Sequence, residues 1–120
     1  MLRKAKIDAP GALHHVIVRG IERGKIFRSD YDRKNFLNRL GKMISETQTD
    51  CFAWALIPNH VHLLLRTGLV PISVLMSRLL TGYAVRFNKK YHQHGQLFQN
   101  RRKPLKHEVF YVFGRIERLA

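Results

Sequence analysis

Acidic residues are scarce in this chain. Eight Asp and Glu stand against 22 Lys and Arg over 120 residues, a formal charge of +14 with histidine neutral. So few anions leave a positive field that draws polyanions, and nucleic acid, bound by phosphate neutralisation and counterion release, is the expected partner. The basic residues are spread along the whole chain, which argues against a surface built for anionic membranes. Sulfur is nearly absent as well. The single cysteine, Cys51, excludes an intramolecular disulfide and any multi-cysteine zinc site. No apolar run approaches the roughly 20 residues of a membrane helix, and no apolar h-region follows the basic start Met1-Leu2-Arg3-Lys4. No repeat, low-complexity tract or linker divides the chain. A hydrophobic share of 45% is enough for a core. The reading is one cytoplasmic domain over 1–120, with a reduced thiol and no membrane partner.

Leu13 to Val18 alternates and is rich in β-branched residues, a strand entered after Pro10-Gly11 and ended by Arg19-Gly20. Ser29-Asp30-Tyr31-Asp32 has the spacing of a helix N-cap with an acid at N3. Phe36, Leu37, Leu40, Met43 and Ile44 then recur at helical spacing, as far as the weak helix formers from Thr47 to Asp50. Phe52 to Ile57 and His60 to Leu65 read as strands joined through Pro58-Asn59, hence an antiparallel hairpin. Pro71 opens a second helix with the stripe Ile72, Leu75, Leu79, Tyr83 and Phe87. Gln96 to Pro104 reads as a loop, with a further strand placed within 96–105 or supplied by a partner chain. Glu108 to Leu119 reads as a short terminal helix. This order predicts an α+β ferredoxin-like sandwich, an antiparallel sheet of four to five strands with helices on one face. A homodimer covering a sheet edge is expected with it.

The sharpest local feature is Pro58-Asn59-His60-Val61-His62-Leu63-Leu64-Leu65. Side chains alternate along a strand, so His60 and His62 share one face while Val61 and Leu63 take the other. Two imidazoles so placed can reach one divalent ion. They can equally be ordinary strand histidines, one at the surface and one hydrogen-bonded. A metal site needs a third ligand from a neighbouring element, with His14 and His15 as possible suppliers; His14 reads better as a core residue.

In its wider setting this segment resembles the single-tyrosine HUH transposases, in particular the REP-associated tyrosine transposases and their insertion sequence 200-like relatives. The resemblance covers nearly the whole chain. It runs through Pro10-Gly11-Ala12, His15-Val16 and Arg19-Gly20, then Ile26-Phe27, Asp32-Arg33 and Phe36-Leu37. It continues through the histidine segment to Tyr83, Phe87-Asn88 and Gly95-Gln96-Leu97-Phe98-Gln99-Asn100-Arg101. Each piece is weak alone; in this order they are specific.

The resemblance implies that His60 and His62 hold a divalent ion, magnesium or manganese, which polarises a scissile phosphate of single-stranded DNA. It implies a tyrosine that attacks the phosphorus, keeps the 5′ end as a phosphotyrosine and releases a 3′ hydroxyl. The implied partner is single-stranded DNA carrying a REP-like hairpin. The family's Tyr-Ile-x-x-Asn-Pro pattern is absent here, and the region from about 105 to 120 diverges. Tyr111 is the only tyrosine after Gln99 and so the remaining candidate nucleophile, although Phe110 and Phe113 beside it suit a packing role equally. Arg115 stands four residues on, where the family often places an amide ligand. Tyr83 extends the apolar stripe and reads as core. The candidate DNA-binding residues are Arg19, Arg78, Arg86, Lys89, Arg101, Arg102 and Lys103. Two readings of the function stand side by side: a metal-dependent strand transferase, and an inactive remnant that binds DNA without cleaving it.

Overall fold

The computed structural model describes residues 11–99 and the backbone of a strand at 107–110. The elements are β1 (Leu13–Arg19), α1 (Asp30–Thr47), β2 (Asp50–Ile57), β3 (His60–Arg66), α2 (Ile72–Lys90) and β4 (His107–Phe110), with a 3-10 turn at Ile21–Arg23. The sheet order is β2-β3-β1-β4, and every neighbouring pair is antiparallel. This is the split βαβ arrangement of a ferredoxin-like fold: β1 and β2 run the same way with β3 inserted between them.

Strand alternation decides what the sheet presents to each side. Val16, Val18, Val61, Leu63 and Leu65 face the helices and join Phe36, Leu40, Leu75, Leu79, Tyr83 and Phe87 in one core. The predicted stripes of both helices therefore lie where the periodicity placed them. At the centre, Phe36 packs edge-on against Phe27 and Tyr83, with ring centroids 5.5 and 5.3 Å apart. Aromatic pairs in this geometry add about 0.5–1.5 kcal/mol beyond their burial.

Ser29 is the N-cap of α1, as its spacing predicts, but its side chain makes no capping bond. The acid at N3 reaches back past the N-cap to the preceding residue: Asp32 Oδ2 accepts a hydrogen bond from the Arg28 N–H at 2.8 Å. The same carboxylate ties the two helices together, accepting from Lys90 Nζ at 3.0 Å and Tyr91 Oη at 2.6 Å. These bonds hold the Asp32 pKa below its ordinary value against the opposing effect of burial. Tyr83 is 2% exposed and donates to the Ile26 carbonyl. Its phenol is pushed up by burial and by Asp32, so it is a core residue, as the stripe predicts.

One expectation fails at the C-terminal end. Residues 107–110 form β4, not the start of a helix over Glu108–Leu119; the rest of that helix lies outside the described residues. The run Val109-Phe110 is β-prone, and its backbone pairs with β1 from His107↔Val16 to Phe110↔Leu13. That pairing satisfies a β1 edge that would otherwise be open. Of the segment 96–105, where a further strand is one expectation, residues 96–99 are described and make an isolated bridge between Gly20 and Phe98; the rest lies outside the described residues. The described sheet thus has four strands, the lower of the expected counts.

Candidate metal centre

β3 is the middle strand of the β2-β3-β1 unit. Burying Val61, Leu63 and Leu65 forces His60, His62 and Leu64 onto the face away from the helices. The register sets Arg19 of β1 opposite His60 and Ile17 opposite His62. His15 lies two residues further along β1 on the same face. Three imidazoles therefore gather on the sheet face away from the helices. The His60 and His62 ring centroids are 4.8 Å apart, and His15 stacks on His62 at 5.4 Å with an interplanar angle of 23°.

The hairpin turn delivers His60. Neither Pro58 nor Asn59 has positive φ, so this is not one of the primed turns that suit strand twist best. Bonds from outside hold it: Ile26 N–H and Phe27 N–H donate to the Pro58 carbonyl, and Gly20 N–H donates to the Asn59 carbonyl at 2.9 Å. Gly20 is needed where the chain folds back on itself over residues 20–24, because a Cβ there would stand 2.1 Å from the Gly24 carbonyl oxygen.

The donor set fits a divalent ion. His60 Nδ1 donates to Asn59 Oδ1 at 2.8 Å, which leaves its Nε2 lone pair free. His62 Nδ1 is 3.2 Å from His15 Nε2; in the tautomer where His62 donates, its Nε2 is free as well. Ligand histidines are usually oriented through the second ring nitrogen in this way. Partial burial, then His60, His15 and Arg19, hold the His62 pKa below its ordinary value of 6.5, which favours the neutral imidazole a metal needs. Among the described residues no three His, Cys, Asp or Glu side chains converge as a complete ligand set. His15 is spent on His62, so it fits as a positioning residue. His14 is excluded: it is 0% exposed on the helix side, its Nε2 2.9 Å from Thr67 Oγ1.

The His62 shift has a consequence for stability. The unfolded imidazole takes up a proton at higher pH than the folded one, so stability is full above about 6.5 and falls as pH drops through the folded value. Thermal melts at pH 7 and 5.5 should show that loss, and a smaller one in His62→Gln.

The sequence-predicted DNA contacts divide into groups. Arg19 is exposed beside His60. Arg78, Arg86 and Lys89 are exposed on α2, on the helix side of the sheet. Arg101, Arg102, Lys103 and Tyr111 lie outside the described residues. Sequence reasoning missed Asn59 as the partner of His60, although its place in the turn was the available signal. It also missed Asp32 as a link between the helices, for which the sequence carries none. Beside His62, an apolar hollow of about 350 Å³ is lined by His15, Ala53, Ala55 and Leu64.

A family described as "Transposase IS200 like" matches residues 10–108, and the chain belongs to that family. Among solved structures, a candidate transposase from Deinococcus radiodurans R1 is similar at a TM-score of 0.60 and 19% identity, over 84% of this chain and 78% of that one. A REP-associated tyrosine transposase bound to a REP hairpin is similar at a TM-score of 0.62 and 13% identity. That likeness covers 86% of this chain, which spans 58% of the hairpin-bound one. At these identities the likeness is one of fold. The comparison with curated proteins gave no match.

Proposed function

We propose that this transposase-family chain nicks and rejoins single-stranded DNA at the His60–His62 face, with hairpin-bearing DNA as its substrate. The observation that carries the reading is the pair of imidazoles 4.8 Å apart on one sheet face, each held through Nδ1 by a neighbour so that Nε2 is left to bind in the tautomer described above. The structural neighbour bound to a REP hairpin supports the choice of DNA. A magnesium or manganese ion held there would polarise the scissile phosphate. Asn59 and His15 fix the two rings, and Arg19 supplies positive charge beside them. Tyr111 is the proposed nucleophile: its Oη bonds to phosphorus, the P–O3′ bond breaks, and the phenolic proton ends on the released 3′ oxygen.

A second reading, binding without cleavage, has one observation in its favour. β4, which leads into Tyr111, runs away from the site, and Phe110 ends opposite Leu13, while Ile17 stands opposite His62. The two readings separate on a denaturing gel. Labelled hairpin DNA with manganese should give a denaturation-resistant band that Tyr111→Phe abolishes; salt-sensitive binding without any band would establish the second reading. In either case log affinity falls linearly with log salt, with a slope of about −0.7 per phosphate neutralised. A flat salt response would exclude both.

A further inference from the structure

The cleft between α1 and α2, on the other side of the sheet from the histidines, plays no part in the nicking reaction. We propose that it binds one unpaired nucleotide of DNA, with the base on Tyr31 and the phosphate between Lys34 and Arg86. The inference takes its polymer, DNA, from the proposed function and nothing from the metal centre.

Tyr31 is 77% exposed in the first turn of α1, where nothing in the core requires an aromatic ring. The Lys34 and Lys90 ammonium groups lie over the ring at 6.0 and 5.9 Å from its centroid, at the outer limit of a cation–π contact. The cleft beside it encloses about 280 Å³, slightly below the usual range for a small-molecule pocket and too small for a duplex. Its one acid does not oppose a phosphate. Asp32 is 4% exposed, and both its oxygens are taken by Lys90, the Arg28 N–H and Tyr91. Among the described residues Lys34 and Arg86 have no carboxylate partner.

Two amides complete the lining, Asn35 and Asn38. Asn35 Oδ1 accepts from Arg39 Nε at 2.9 Å, so its own N–H groups are the ones left for a ligand. Arg39 in turn lies over Gly82, where a Cβ would come within 2.7 Å of its Nη1. The glycine that weakens α2 makes room for the side chain that orients Asn35. An aromatic face, amide donors and uncompensated cations around one small cleft are the chemistry of unpaired-nucleotide recognition. A merely solvated basic face needs neither the cleft nor the exposed ring.

The test uses the full chain, EDTA in place of metal, and a short unpaired oligodeoxynucleotide carrying 5-iodouracil. Ultraviolet cross-linking should attach the base to Tyr31. Tyr31→Ala should remove the cross-link and weaken binding roughly 5- to 150-fold, the range of base–aromatic stacking. Arg86→Ala should weaken binding and flatten the salt slope by about one phosphate's share. Wild-type affinity in both variants, or cross-links only elsewhere, would overturn the proposal, and tighter binding of the matching oligoribonucleotide would overturn the choice of DNA. Without metal the outcome is independent of nicking: a chain that cross-links through Tyr31 yet never cleaves keeps the cleft and loses only the strand-transfer reading.

Discussion

His60→Ala and His62→Ala should each lower manganese-dependent nicking of single-stranded DNA by about a thousandfold. Charge stabilisation by a bound divalent ion supplies several kcal/mol to a phosphoryl transition state, and each 1.4 kcal/mol is a factor of ten. Removing one of two protein ligands forfeits most of that. Neither histidine belongs to the core, so the melting temperature should move by no more than about 4 °C. Asn59→Ala gives a graded control, since it removes only the bond that orients His60; losses from such supporting partners run to about 10–100-fold. Single-turnover assays with and without manganese make the measurement. Full nicking in either histidine variant would remove the metal pair from the mechanism.

Phe36→Ala should carry the largest stability cost, about 3–5 kcal/mol. Its ring is 0% exposed and meets Phe27 and Tyr83 edge-on. It joins α1 to both α2 and the segment that supports the Pro58-Asn59 turn. Against a typical domain stability of about 5–15 kcal/mol, such a loss leaves a substantial unfolded fraction at 37 °C. Urea unfolding followed by circular dichroism measures it. Tyr31→Ala, one turn earlier on the same helix but exposed, should change stability by no more than about 0.5 kcal/mol.

These contrasts show which parts of the molecule local pattern can reveal. The stripes from Phe36 to Ile44 and from Ile72 to Phe87 placed both helices, because burial against a sheet imposes the helical period. The face shared by His60 and His62 followed from alternation alone. β4 is not legible in the sequence because Glu108 to Phe110 is too short to show a period, and what settles it is the edge of β1, a partner about 90 residues away in sequence. The pairing of His15 with His62 spans 47 residues and depends on strand register, which no local pattern contains. Asp32 looked like a simple cap because Lys90 and Tyr91 reach it only after the helices have packed.

Because β3 carries the imidazoles on one face and Val61, Leu63 and Leu65 on the other, fold and chemistry share a single register. A slip of one residue would turn both histidines into the core and three aliphatic chains out to water. Such a chain could not settle into the native packing, so it would be lost to aggregation or proteolysis. The central strand thereby acts as its own proofreader: a domain that passes the test of folding has already set its histidine pair in place. Single-residue deletions at Pro58-Asn59 should accordingly vanish from the soluble fraction, whereas deletions in the exposed 92–96 loop should survive there.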